Sequence, residues 1–376
     1  MQKNEDFKDY ICVIVSTLNQ MVNYIPLKHF EFREVYNLTI DDSEYAKNAQ
    51  WDKSLKDFFP DINDISFKQS QMSNIRAIQR KLNQFKDKKV FWNITGGQRP
   101  FLLAINQIAK KEDIICYLEG NKNRLILLKD NKEKKNIIKD YSLDSFNDMN
   151  IEIALKLMGF EIKVTKTSER NFIVNHDENE KKFYLNFLDK YIRNKNLREN
   201  LILLNRDNDK ENAKKEIKKI INISDKELNR NKAFGYILEK LAGYKILHFA
   251  KDKIADMTLG EKINHLRYKI DEHYIDEFDI ALLTKNGKFM IFECKSGGMD
   301  GDVAKSTKYS TYAVSGAYGL PILITPLLKN EIENLDNLDK EIYSYIQSAI
   351  KSAQRAGLEV WGLNDIEDNL KKYIEL

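Results

Sequence analysis

One stretch constrains this chain more than any other: Asp279-Ile-Ala-Leu-Leu-Thr-Lys-Asn-Gly-Lys-Phe-Met-Ile-Phe-Glu293-Cys-Lys295. Two apolar runs flank an Asn286-Gly287 pair, which is the sequence pattern of a β-hairpin. Side chains two apart on a strand share a face. Glu293 and Lys295 therefore project together with Phe289 and Ile291, while Met290, Phe292 and Cys294 take the other face. A charged pair at the end of an apolar strand is costly unless it is paired or binds a metal.

The turn decides what else joins that face. A two-residue Asn286-Gly287 turn sets Asp279 opposite Cys294, on the wrong side. A three-residue loop over Lys285, Asn286 and Gly287, with Gly287 left-handed, shifts the pairing by one. Thr284 then meets Lys288, and Asp279 meets Glu293. The second register gathers Asp279, Glu293 and Lys295 on one surface. Adjacent carboxylates repel unless a divalent cation sits between them. Oxygen donors suit Mg²⁺ or Mn²⁺, and a neighbouring lysine can orient a water or stabilise charge on a phosphate.

The Asp279…Glu293-Cys294-Lys295 arrangement resembles the PD-(D/E)xK nuclease superfamily. A bare D…ExK pattern also fits a surface hairpin with a solvated salt bridge, but here the pair closes an apolar strand. An upstream helix, Lys232–Gly243, carries Phe234, Ile237, Leu238 and Leu241 at helical spacing, with Glu239 at the border of that face. The resemblance implies that this helix supplies one more metal-binding acid, a place Glu239 matches. Glu239 also fits an ordinary surface pair with Lys240, and Asp276 and Glu277 are alternatives nearer in sequence. A helix near Asp302–Ala317 and an apolar strand Leu320–Thr325 complete the order of a restriction-endonuclease-like core.

The N-terminal third has another grammar. Apolar or β-prone runs at Tyr10–Thr17, Glu34–Ile40, Ile65–Gln69, Lys89–Thr95 and Asp113–Leu118 alternate with helical patterns. Such alternation predicts a parallel, doubly wound sheet. A further strand, Asn123–Leu128, and a polar stretch to Asp140 predict a closing hairpin. Two loops would lie at the carboxyl ends of parallel strands, where open α/β sheets bind ligands. One holds Ser16, Thr17, Asn19, Gln20 and Asn23; the other is Thr95-Gly96-Gly97-Gln98-Arg99-Pro100. Glycines let a backbone approach a ligand closely, a helix start favours phosphate, and Arg99 adds a charged donor. The second loop also fits a plain strand-to-helix turn with Pro100 at the first helical position. Neither loop is a GxGxxG or a GxxxxGK[ST].

The second loop resembles the T-G-G-[TQ]-[KR]-P signature of CARF domains, with Gln98 and Arg99 where Thr and Lys are commoner. The first loop is similar to their first ligand-binding loop. A Rossmann-like CARF domain joined to a PD-(D/E)xK domain is the layout of a CRISPR-associated nuclease family. The resemblance implies an α/β protein with a sensing domain over residues 1–141, a helical connector over 142–230 and a nuclease domain over 231–376. It implies a homodimer that binds a cyclic oligoadenylate, usually cyclic tetra-adenylate, across its two-fold axis. Ser16, Thr17, Asn19, Gln20 and Asn23 would hold bases and ribose. Thr95, Gly96, Gly97, Gln98 and Arg99 would hold phosphates. The expected activity is a metal-dependent endonuclease of DNA or RNA in type III CRISPR antiviral defence. Asp279, Glu293 and Glu239 would hold Mg²⁺ or Mn²⁺, and Lys295 would act on the attacking water. The rival readings are a constitutive restriction or repair nuclease and a non-enzymatic CARF sensor.

Bulk properties refine this. With 61 Lys+Arg against 57 Asp+Glu and a formal net charge of +4, the 376-residue chain shows no general commitment to nucleic acid, so substrate contacts must be local. Cys12, Cys116 and Cys294 each lie in an apolar run and form no CxxC pair, which points to buried thiols in a cytoplasmic protein. No run approaches the roughly 20 apolar residues of a membrane span, and the N-terminus lacks an apolar signal.

Overall fold

The structure is a computed structural model that describes residues 5–41, 51–119, 124–131, 134–142, 149–163, 169, 171–265, 276–285, 287–316 and 319–374. Two sheets organise it. The first has seven strands: β1 (Ile11–Val15), β2 (Glu34–Ile40), β3 (Asn63–Phe67), β4 (Val90–Asn93), β5 (Ile114–Glu119), β6 (Arg124–Asn131) and β7 (Lys134–Ser142). Their spatial order is β3-β2-β1-β4-β5-β6-β7. The first five run parallel, as the strand–helix alternation predicts. β6 and β7 add the antiparallel closing hairpin. β1 is buried at every position because helices cover both sheet faces. Its Cys12 and Ile14 enter one core and Ile11, Val13 and Val15 another. Of the helical pattern that the sequence carries between β2 and β3, over Ser43–Phe59, Trp51–Lys56 is helical, and 42–50 lie outside the described residues.

The second sheet has six strands, in the order β13-β12-β11-β10-β9-β8. These are β8 (Phe160–Lys163), β9 (Ile254–His265), β10 (Asp276–Thr284), β11 (Phe289–Cys294), β12 (Leu320–Thr325) and β13 (Glu359–Gly362). β9, β10 and β11 are antiparallel, and β12 and β13 continue parallel to β11. The register of the β10–β11 hairpin is the three-residue one. Ile280 faces Phe292 and Leu283 faces Phe289. The Thr284 N–H donates to the Lys288 carbonyl at 2.9 Å, and Gly287, at φ +82°, takes the left-handed role. The hairpin faces sort as the alternation requires. Ile280, Leu282, Met290, Phe292 and Cys294 enter one core; Ala281, Leu283, Phe289 and Ile291 enter the other.

The stretch expected to be a helical connector, 142–230, also contains β8, which pairs antiparallel with β9 from Phe160↔His265 to Lys163↔Lys262 and forms an edge of the second sheet. Four residues cannot declare themselves a strand when the partner lies about a hundred positions on. The helices Glu178–Arg193, Lys195–Leu203 and Lys210–Ile220 do follow, but they are part of the C-terminal core. Tyr184, Phe187, Leu201 and Ile217 pack in the same cluster as Phe234, Leu238 and Ile280.

The two sheets share a core. Cys12, Ile14 and Phe91 of the first sheet and Phe278, Ala281, Phe289 and Ile291 of the second belong to one cluster. Tyr24 and Ile25 of the helix Met21–His29 and Leu155 and Met158 at the helix Ile151–Leu157 fill the space between them. No helix among the described residues is long and apolar enough to cross a membrane.

Candidate functional site

The hairpin brings its three charged residues together. Lys295 forms an ion pair with the Glu293 carboxylate. Asp279 accepts a 2.7 Å hydrogen bond from the Cys294 N–H, so the acid is held by the backbone of the strand beside it. Glu293 is 9% exposed and Asp279 half-buried. Burial, then the charges of Glu293 and Glu239, pushes the Asp279 carboxyl well above its ordinary range. Burial also raises Glu293, although Lys295 opposes it. For Lys295, burial would lower the ammonium, but Glu293 and Asp279 outweigh it and raise the pKa. The lysine is therefore a charged group at neutral pH.

Glu239 joins this field from the helix Ala233–Ala250, whose apolar face packs on β10 and β11. Burial, with Glu277 and Glu293 nearby, pushes its carboxyl up to about 7. Asp276 is a further member. Burial raises it, and its charge acts on Glu293 while Ser310 of the helix Gly301–Ser315 hydrogen-bonds with it. Glu277 sits at the rim, 3.3 Å from Lys262. Sequence alone left Glu239, Asp276 and Glu277 as alternatives; the tertiary structure puts Glu239 and Asp276 within electrostatic reach of the hairpin acids, and Glu277 within reach of Glu239 and Asp276.

The donor set fits a divalent oxygen-seeking cation. Asp279, Glu293 and Glu239 present carboxylates that repel one another, and Lys295 acts on all three. As the side chains stand, no group of three His, Cys, Asp or Glu among the described residues closes into a metal cage.

The N-terminal loops form the other constellation. Both lie at the carboxyl ends of parallel strands. β1 has β2 on one side and β4 on the other, so the strand order reverses between β1 and β4. A polar relay ties the loops together. Gln20 and Asn23 are buried, and the Asn23 amide donates to the Val15 carbonyl and to Gln20 Oε1, both at 2.9 Å. Asn93 at the end of β4 donates to Asn23 Oδ1 and to the Val22 carbonyl, each at 2.9 Å. Asn93 Oδ1 in turn accepts from the Thr95 hydroxyl at 2.7 Å, and Thr95 Oγ1 accepts from the Leu118 N–H at 2.8 Å. Gln20, Asn23 and Thr95 thus spend their polar groups inside the protein. Asn19 Oδ1 accepts from the Met21 N–H, at the start of the following helix, at 3.1 Å.

The two glycines have a packing reason. A Cβ built on Gly97, at φ +93°, would lie 2.1 Å from Val15 Cγ1. One on Gly96 would lie 2.9 Å from Thr17 Cγ2. The diglycine turn is pressed onto the first loop, which brings Gln98 and Arg99 to its mouth. Both are exposed at the start of the helix Arg99–Ile108, with Pro100 in its first turn. Ser16 and Thr17 are half-buried beside them.

Sequence reasoning placed Asn93 at the start of the second loop without a role, and missed Thr39 and Asp52. Asp52 Oδ1 accepts from the Ser16 hydroxyl at 2.7 Å and from the Gln20 amide at 3.1 Å, and Oδ2 accepts from the Thr39 hydroxyl at 2.9 Å. Nothing in the local sequence marks an acid 36 positions from its partner serine.

No protein-family profile matches this chain, and no curated protein matches it. Solved structures do. The Vibrio cholerae protein VC1899 aligns with TM-score 0.64 and 16% identity over 97% of this chain and 98% of its own. Can2 from Sulfobacillus thermosulfidooxidans, solved in complex with cyclic tetra-adenylate, aligns with TM-score 0.64 and 15% identity over 97% of each chain. A type III CRISPR defence DNA nuclease activated by cyclic oligoadenylate aligns with TM-score 0.51 and 14% identity over 86% of this chain and 47% of its own. At such identities the likeness is one of fold, and it spans both sheets. The chain has the α/β arrangement its motifs imply, with a mostly parallel N-terminal sheet joined to a mixed C-terminal one, and shares that overall fold with these structures.

Proposed function

We propose that this protein is a cyclic-oligoadenylate-activated, metal-dependent endonuclease of type III CRISPR defence. One observation carries the reading: a switch-point crevice and a buried Asp279/Glu293/Lys295 hairpin occur together in a fold that matches, nearly end to end, a protein solved with cyclic tetra-adenylate. Fold alone does not assign activity; the two sites in their two domains support it.

In the sensing domain, Ser16, Thr17 and Asn19 meet the base and ribose, and Gln98, Arg99 and the Gly96 and Gly97 backbone meet phosphate. Gln20, Asn23 and Thr95 hold the loops in place from within. A ring larger than one crevice requires a second copy, so residues 1–141 pair about a two-fold axis. Ligand binding activates only by preferring the active arrangement.

In the nuclease domain, Asp279, Glu293 and Glu239 would hold Mg²⁺ or Mn²⁺. The metal supplies charge neutralisation at the phosphate and a more acidic water. The Lys295 ammonium, held in place by its acidic neighbours, orients the water or stabilises charge on the phosphate oxygens. The Cys294 N–H fixes the angle of Asp279. Cleavage of plasmid DNA and of RNA, each with manganese and with or without cyclic tetra-adenylate, tests the reading. Activator-dependent cleavage of either substrate is expected. Equal cleavage without the activator, or none with it, overturns the proposal.

A further inference from the structure

Asp52 is an acid in a place where the sensing domain needs to attract an anion. Its carboxylate stands at the carboxyl ends of β1 and β2, bonded to Ser16, Gln20 and Thr39. Across the switch point lies the loop that offers backbone N–H groups and Arg99 to phosphate. Among the described residues no lysine or arginine pairs with Asp52. An uncompensated carboxylate here repels phosphate, so this end of the crevice takes a part of the ligand that donates hydrogen bonds. A carboxylate only accepts, at about four lone-pair positions. Three are taken by protein donors, and Asp52 is half-buried, not sealed.

Among the bases, adenine puts an exocyclic amine beside a bare ring nitrogen, a donor next to an acceptor, whereas guanine puts a carbonyl oxygen at the amine's position. Asp52 and Ser16 present the complement. The carboxylate accepts, and the half-buried Ser16 hydroxyl can rotate from Asp52 to donate to the ring nitrogen.

We propose that Asp52 is the residue that selects adenine in the activator, by accepting a hydrogen bond from its exocyclic amine. The inference rests on the sensing role proposed above and adds the group that reads the base. It also orients the nucleotide, with its base edge towards β2 and its phosphate towards the helix Arg99–Ile108.

Binding of cyclic tetra-adenylate and of the same ring built from inosine, which carries oxygen in place of the amine, provides the test. The full-length wild type, Asp52→Asn and Ser16→Ala are compared by calorimetry, with thermal unfolding as a check on the fold. The wild type should prefer the adenine ring by about 10²-fold, the discrimination of a good two-point base contact. Asp52→Asn can turn an amide N–H to the inosine oxygen, so the preference should fall at least about tenfold. A purely supporting role would weaken both rings equally. An unchanged ratio in Asp52→Asn, equal loss of both rings, or a wild type indifferent to the substitution overturns the proposal. A wild type that binds neither ring overturns the sensing role and this inference with it. One that binds adenine rings but ignores Asp52→Asn overturns this inference alone. A preference lost instead on removing the ribose 2′-hydroxyls assigns Asp52 to the sugar and also overturns it.

Discussion

Lys295 and Glu239 show how residue chemistry follows from burial. Lys295 is not a metal ligand, so Lys295→Ala should leave metal binding intact while cleavage falls about 10²-fold or more, as when a transition-state-stabilising group is removed. Plasmid cleavage at saturating activator and manganese measures this, and a wild-type rate would remove the nuclease assignment. Glu239 makes a pH prediction. Its folded carboxyl titrates near 7, above the roughly 4.3 of an exposed glutamate. Between those values the folded state binds more protons than the unfolded one, so stability declines as pH rises. Glu239→Gln should flatten that share of the decline in urea unfolding between pH 5 and pH 8, and a slope identical to wild type would contradict the burial of this acid.

At the scale of elements, one turn links the two sites. Gly287, the left-handed turn of the β10–β11 hairpin, faces Met21, the first residue of the helix that follows the sensing loop. A Cβ on Gly287 would lie 3.0 Å from Met21 Sδ. Gly287→Ala should cost about 1 kcal/mol or more, from the positive φ and the crowding together. Its larger effect should be on activation, because the strain falls between the first loop and the hairpin that carries Asp279 and Glu293. Cleavage measured against activator concentration checks this, and an unshifted midpoint would show that the contact transmits nothing. The polar relay makes a parallel case. Asn93→Ala leaves buried Asn23 and Thr95 without their partner and should cost about 1–3 kcal/mol, read in denaturant unfolding.

For the whole molecule, the shared core matters most. Phe91 from the first sheet and Phe289 and Ile291 from the second lie in one buried cluster with Tyr24 and Leu155. Separating the domains would expose that apolar surface, a cost on the order of 25 cal/mol per Å². The chain should therefore unfold in one cooperative calorimetric transition. Two transitions well separated in temperature would mean that the cluster does not couple the sheets. Light scattering should show a dimer at micromolar concentration, with or without activator; a monomer in both conditions would leave a cyclic ligand with only half a site.

Local chemistry determined much of this protein. Strand–helix alternation set the parallel sheet, and the apolar alternation with a left-handed Gly287 set the hairpin register that aligns Asp279 with Glu293. These signals are short-range, so they survive in sequence order. Four other features depend on partners far apart in the chain. β8 is a strand only because β9 offers an edge. Gln20, Asn23 and Thr95 carry the residue types of a ligand loop, yet they turn inward, Asn23 and Thr95 onto Asn93 and Gln20 onto Asn23 and Asp52. Asp52 reaches the crevice from a different helix. Glu239 becomes a weak acid only where helix packing sets it against Glu277 and Glu293. Periodicity records which face of an element is buried; it holds no record of what that face will meet, and burial and charge at these sites depend on the meeting.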